Sequence, residues 1–289
     1  MSLTHANYAV YREVIAQLMQ GNEQLPSLPS ITLEIRRALA RPDVSFSSLS
    51  KTLAKDPSLS AMLLKYASSP HFHHPPLHSL LDVVRVLGLA QVERITMVHS
   101  VTSLFTMHSA YHKRLFVDAW HRVVLKASVS NFIALHIPLV AADRVLLASL
   151  LSEIGTLAVL SAFKDQKHPP QEDMYVSLCR EYSKSLGIIM MKKWQVDEEF
   201  IEVVRRVGDW SVSTGEVLDL GDVVNLGLFH ALKLRKAGRD LPALTELAAY
   251  QKLAPPFNLL DQHECLSLVT QHTADIRALA IALFKVEVM

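Results

Sequence analysis

Apolar residues recur at helical spacing along almost the whole chain. Tyr11, Val14, Ile15 and Leu18 share one face of a segment that Gly21 closes, as helices commonly end on glycine. Leu25-Pro26-Ser27-Leu28-Pro29 is a rigid lead-in, after which Ser30 is placed to cap a helix carrying Ile31, Ile35 and Leu39. Asp56-Pro57 is a strong start signal, because the carboxylate accepts from free N–H groups and proline suits the first helical position. Leu59, Met62, Leu63 and Tyr66 follow on one face. Ser79-Leu80-Leu81-Asp82 has capping-box spacing, and Gly88 stops that helix after Val83, Val84 and Leu87.

Longer helices are predicted over 90–108 and 114–136, the second halted by Pro138. A single helix is predicted from Asp143 through Leu146, Leu147, Leu150, Leu151, Ile154 and Leu157 to Ala158. Pro169-Pro170 breaks the chain before a helix with Tyr175, Leu178, Cys179 and Tyr182. Further segments start near Asp197, Leu220, Pro242 and Leu259. No stretch alternates as a strand does, and no fixed-period repeat is present. The pattern predicts an all-α, multi-helix bundle with room for two helical lobes. The loop-rich stretch 208–222 and the break near 110–115 are the candidate boundaries.

Composition agrees. Nine glycines and thirteen prolines make about 8% of the 289 residues, below the usual share of about 12%. Lys+Arg number 29 and Asp+Glu 28, so a net charge of +1 argues against a protein that holds nucleic acid through a basic face. Cys179 and Cys265 are too few for a disulfide framework and fit a reducing compartment. Met1-Ser-Leu-Thr-His-Ala-Asn-Tyr8 lacks the pattern of a signal peptide. The apolar run Val145–Leu151 ends at Glu153, short of the roughly 20 residues of a membrane span. A soluble, cytoplasmic protein is expected.

Common chemistries are missing. The chain has no G-x-G pair, no phosphate-binding G-x-x-x-x-G-K-[ST] and no G-x-S-x-G. His263-Glu264 has no second histidine at zinc-binding spacing. Four imidazoles, His71, His73, His74 and His78, fall within eight residues and are weak candidates for a transition-metal site; an inter-helix loop accounts for them as well. Glu153, among leucines and isoleucine, is expected to be partly buried and neutralised by an arginine, with Arg122 the candidate. Trp120, Trp194, Met190 and Met191 are at core spacing. His230, Lys233, Arg235, Lys236 and Arg239 form a compact basic cluster near a helix C-terminus, where cations favour the backbone dipole.

Two stretches carry a family pattern. The first is Leu25-Pro-Ser-Leu-Pro29, then Asp56-Pro-Ser-Leu-Ser-Ala-Met-Leu-Leu-Lys-Tyr-Ala-Ser-Ser69, then Ser79-Leu-Leu-Asp-Val-Val-Arg-Val-Leu-Gly88. The second is Trp120-His-Arg122, Leu150-Leu-Ser-Glu-Ile-Gly-Thr-Leu157, and Leu186-Gly187 with Trp194. Together they resemble the HDOD domain, the HD-related output domain of bacterial signalling proteins. The resemblance implies an HD-domain-like bundle over 25–215, with lobes of about 25–110 and 114–215, an N-terminal helix over 1–24 and a helical extension over 216–289.

The parent HD superfamily consists of metal-dependent phosphohydrolases marked by an adjacent His-Asp pair. Such chemistry needs imidazole and carboxylate ligands that hold a metal and activate its bound water. None of the 14 histidines here is followed by Asp. The resemblance aligns Ser152-Glu153 with the pair and Arg122, beside His121, with the first ligand; Ser183 and Arg205-Arg206 stand where relatives bring further histidines. It therefore implies a vestigial centre at His121, Arg122, Ser152, Glu153 and Ser183, with no catalytic residues and no cofactor. The expected role is a non-catalytic signal-transduction module binding a signalling protein or small ligand, with no membrane or nucleic-acid partner and self-association left open. The alternatives are an atypical metal-dependent phosphohydrolase using His121 and Glu153, and a DNA-binding regulator built on helices 47–55 and 57–68 carrying Lys51, Lys55 and Lys65.

Overall fold

The protein is seen in a computed structural model that describes residues 3–20, 26–68, 76–106, 113–137, 139–163, 170–212, 214–235 and 241–284. The helices are α1 (Leu3–Met19), α2 (Ser30–Leu39), α3 (Phe46–Leu53), α4 (Pro57–Ala67), α5 (Leu80–Thr106), α6 (Lys113–His136), α7 (Ala142–Leu151), α8 (Ile154–Ser161), α9 (Glu172–Lys193), α10 (Glu198–Arg206), α11 (Leu220–Leu234), α12 (Ala248–Gln251), α13 (Ser267–Gln271) and α14 (Thr273–Phe284). A 3₁₀ turn, Leu244–Glu246, precedes α12. The described residues hold no strand, only an isolated bridge between Leu260 and Leu266. The fold is all-α. The chain makes two compact units, one of Ser27–Thr106 and one of Met1–Pro26 together with Met107–Met289.

In the smaller unit, local signals and packing agree. Asp56 accepts from the N–H groups of Ser58 and Leu59, both at 3.0 Å, and Pro57 takes the first helical position. The Ser79–Asp82 box forms: the Asp82 N–H donates to Ser79 Oγ at 3.1 Å, and the carboxylate accepts from the His78 N–H at 3.3 Å. Ile35, Leu49, Leu53, Leu59, Leu63, Val84 and Val92 then close one core. Gly88 interrupts α5 at φ +74° and ψ 163°; a Cβ there would meet nothing, so backbone conformation alone demands glycine. Ser30 is not the cap of α2. The helix starts one residue earlier than the signal suggests, with Pro29 as its N-cap and the Pro29 carbonyl receiving the N–H groups of Thr32 and Leu33.

The larger unit packs α7, α11 and α14 around α6, with α8 on α9 and α1 against α9. Trp120, Trp194, Met190 and Met191 lie in its core, as their spacing predicts. The helix expected from Asp143 to Ala158 is two. Ser152 closes α7, its N–H bonded to the Ala148 carbonyl, and Glu153 then takes φ −105° and ψ 2° before α8 restarts. Nearly every residue of both helices is buried, so periodicity carried no stop signal there. Ala142–Ser161 passes a membrane-span test on length and composition, yet 78% of its apolar window is buried inside the protein. The segments expected from Pro242 and Leu259 begin later, at Leu244 as the 3₁₀ turn and at Ser267 as α13.

His230 does not belong to a surface cluster. It is buried; its Nδ1–H donates to the Leu226 carbonyl at 2.7 Å, and Nε2 accepts the Leu266 N–H at 2.9 Å, tying the bridge segment to α11. Burial holds its pKa down at about 4, against an ordinary 6.5. The folded value lies below the unfolded one, so this stability is complete above about pH 6.5 and falls away towards pH 4. The full loss is about 3 kcal/mol, with about 2 kcal/mol gone by pH 5. Urea midpoints at pH 7 and pH 5 should show this slope in the native chain and a shallower one in His230→Gln; identical slopes would remove His230 as the cause.

Candidate functional site

The break between α7 and α8 sets Ser152 and Glu153 at a corner facing α6. Lys126 of α6 projects into that corner. It is 1% exposed, and its Nζ donates to Ser152 Oγ at 2.8 Å and forms an ion pair with Glu153 Oε1. The Ser152 hydroxyl passes its own proton to the Ser149 carbonyl at 2.8 Å, which leaves its oxygen to accept from the lysine. Thr156 Oγ1 donates to Glu153 Oε2 at 3.3 Å. The corner is therefore a satisfied, charge-neutral knot. The expected partner of Glu153, Arg122, is not its ion-pair partner; the lysine one helical turn further along α6 is.

Around the knot, α9 supplies Tyr175 and Cys179. The Tyr175 hydroxyl donates to the Thr156 carbonyl at 3.4 Å. Burial pushes the Tyr175 phenol well above its ordinary range and the Cys179 thiol up to about 12, so neither ionises near neutral pH. Arg122 lies near enough to both to pull in the opposite direction. Ser183 is half-buried, its backbone carbonyl against Gly155 where α8 meets α9. His121 makes no hydrogen bond or ion pair with Glu153 among the described residues. His71, His73 and His74 lie outside the described residues, and His78 is exposed.

These groups do not fit a catalytic metal. The corner offers a hydroxyl, Ser152, and a carboxylate, Glu153, that is already neutralised by a buried ammonium that would repel a divalent ion. Among the described residues no three His, Cys, Asp or Glu side chains converge to hold a metal. The lysine is legible in the sequence after all: Val123-Val-Leu-Lys126-Ala places a lone charge inside an apolar helical run, and such a charge is buried only with a partner.

Two other constellations gather polar groups. Ser58, His99 and Asp56 meet in the smaller unit, but Ser58 Oγ (3.2 Å) and Asp56 Oδ2 (3.5 Å) both approach the same nitrogen, Nε2. A nucleophile relay needs the two on opposite nitrogens, so the group is an elaborated helix cap. A cleft of about 390 Å³ lies beside Arg144, Glu199, Arg206, Asp219 and Gly221. Its charges are spent on one another: Arg206 reaches Asp219 Oδ2 at 2.7 Å and Asp222 Oδ1 at 3.2 Å, and Arg144 is paired with Glu199. On the helices considered for DNA, Lys55 is paired with Glu34, which thins an already sparse basic face.

Comparison with known proteins converges. A family model described as HDOD domain matches residues 25–209. A solved protein of Shewanella amazonensis, provisionally named a metal-dependent phosphohydrolase, superposes with a TM-score of 0.71 at 21% identity, covering 94% of this chain and 98% of that one. An HDOD domain protein of unknown function from Geobacter sulfurreducens gives 0.63 at 20% identity, covering 98% and 100%. One from Marinobacter aquaeolei, provisionally named a signal transduction protein, gives 0.55 at 19% identity, covering 96% and 66%. At these identities the likeness shows the fold alone. An uncharacterised curated relative from Treponema pallidum is 22% identical over 209 residues; the match covers 67% of this chain and 39% of the relative, so the chain spans about two fifths of that relative's length.

Proposed function

The chain belongs to the HDOD domain family, and on that footing we propose that it is a non-catalytic regulatory module of bacterial signal transduction, acting in the cytoplasm by binding a signalling protein or a small ligand. The observation that carries this reading is the Lys126 ammonium bonded to Ser152 and Glu153. A cation supplied by the chain stands against the carboxylate that a hydrolase would offer to its metal. With that carboxylate neutralised and an arginine in place of an imidazole, the corner lacks the ligands that would hold a metal and so let it lower the pKa of its bound water.

Elemental analysis of the tag-free chain, with a phosphodiester hydrolysis assay in Mn²⁺, tests the reading. The expected result is metal well below one equivalent and no turnover above the uncatalysed rate. Close to one equivalent of metal, with turnover abolished by Glu153→Gln, would reverse it and return the chain to the phosphohydrolases.

A further inference from the structure

At the C-terminal end of α6 the His136 ring meets the ring of His272, the residue that closes α13; their centroids are 5.9 Å apart. Phe132, one turn back on α6, lies 4.2 Å from the His136 ring and 5.6 Å from the His272 ring, so the three rings form one cluster. Each imidazole is oriented by its own helix. His136 Nδ1 is 2.9 Å from the Phe132 carbonyl oxygen, and His272 Nδ1 is 2.9 Å from the Leu268 carbonyl oxygen. A carbonyl only accepts, so each Nδ1 carries a proton, and the neutral ring keeps its lone pair on Nε2, on the side turned away from its own helix. Neither Nε2 has a hydrogen-bond or ion-pair partner among the described residues. His136 is exposed and His272 half-buried, so the pair is open to solvent. Lys126 lies ten residues back along α6, about 15 Å, which separates the pair from the corner of Ser152 and Glu153.

We infer that His136 and His272 form a two-imidazole site for a transition-metal ion of the zinc type, which clamps the end of α13 to the end of α6. Imidazole suits zinc, copper and nickel, and a backbone carbonyl on the second ring nitrogen fixes the tautomer that a ligand needs. With Zn–N bonds of about 2.0–2.1 Å, two rings on one tetrahedral ion stand about 5 Å apart between centroids, within about 1 Å of the separation here. No third His, Cys, Asp or Glu side chain joins the pair among the described residues, so water fills the ion's remaining positions. Two protein ligands hold an ion less tightly than a full structural set, and the site is therefore exchangeable, emptied by dialysis and filled by added metal. It stands apart from the regulatory reading above and goes beyond it.

Calorimetric titration of the tag-free full chain with zinc chloride tests it, with magnesium chloride as the comparison, since magnesium demands oxygen ligands. Saturable zinc binding and no magnesium binding are expected, the zinc affinity falling about tenfold or more in His136→Ala and in His272→Ala. His78→Asn, exposed and in the smaller unit, should bind as the native chain does. Saturating zinc should also raise the native melting temperature by about 5 °C and leave both alanine variants where they melt without it. No zinc binding by the native chain overturns the site. So does equal affinity in the two alanine variants with melting curves intact, which would move the ion to other histidines. Zinc retained in Glu153→Gln and lost in His136→Ala supports the pair, whatever the outcome of the hydrolysis assay; zinc lost in Glu153→Gln would place the ion at the vestigial centre and overturn it.

Discussion

Replacing Asp222 by alanine should cost about 3–5 kcal/mol of folding stability, the range for removing one partner of a buried ion pair. The residue is fully buried. Its carboxylate takes Lys252 Nζ at 2.8 Å and Arg206 Nη2 at 3.2 Å, and it accepts the Asp219 N–H at 3.0 Å in the capping box that starts α11. Alanine would leave Arg206 with Asp219 alone, which also serves the Thr214 hydroxyl. The Lys252 ammonium would keep only the Thr214 and Val217 carbonyls, at 2.7 and 3.1 Å. Asp219→Ala should cost less, because that side chain is one-third exposed and water can replace part of what is lost. Urea unfolding followed by circular dichroism ranks the two. An Asp222 variant within about 1 kcal/mol of the native chain would mean that the network adds little to stability.

The same network shows what a sequence pattern carries and what it does not. Asp219 and Asp222 sit three residues apart ahead of an apolar helix, which is cap spacing and readable. Arg206 and Lys252 lie 13 to 33 residues away from them, and only the packing of α10, α11 and α12 brings these charges together. Likewise the Asp56-Pro57 and Ser79–Asp82 signals are local and hold in the structure, whereas the break at Ser152–Glu153 is set by tertiary contacts and leaves no local mark. The family motifs drew attention to Ser152 and Glu153 but pointed to Arg122 as the partner of Glu153, because a motif gives positions along the chain and not which neighbour packs against them. His230 misled for a related reason. Its side chain is turned inward to Leu226 and Leu266, while Arg235 is exposed and Lys236 and Arg239 lie outside the described residues.

The contact between α8 and α9 gives the other large expected effect. Gly155 lies so close to α9 that a Cβ would stand 1.7 Å from the Ser183 carbonyl oxygen and 2.8 Å from the Gly187 nitrogen, both backbone atoms that no rotamer change can move. Gly155→Ala must therefore separate the two helices. The cost should exceed the roughly 1–3 kcal/mol typical of overpacking, since side chains alone cannot absorb it. Gly187→Ala is the matched control: it lies on the same contact, but its Cβ would come no nearer than 3.4 Å to the Gly155 nitrogen, so its cost should be well under half as large. The separation also pulls Glu153, one residue before α8, away from Lys126. Thermal melts of the two variants would test the stability difference. A Gly155 variant that melts with the native chain would mean that α8 and α9 lie further apart than described, and the geometry of the Lys126–Glu153 knot would have to be redrawn with them.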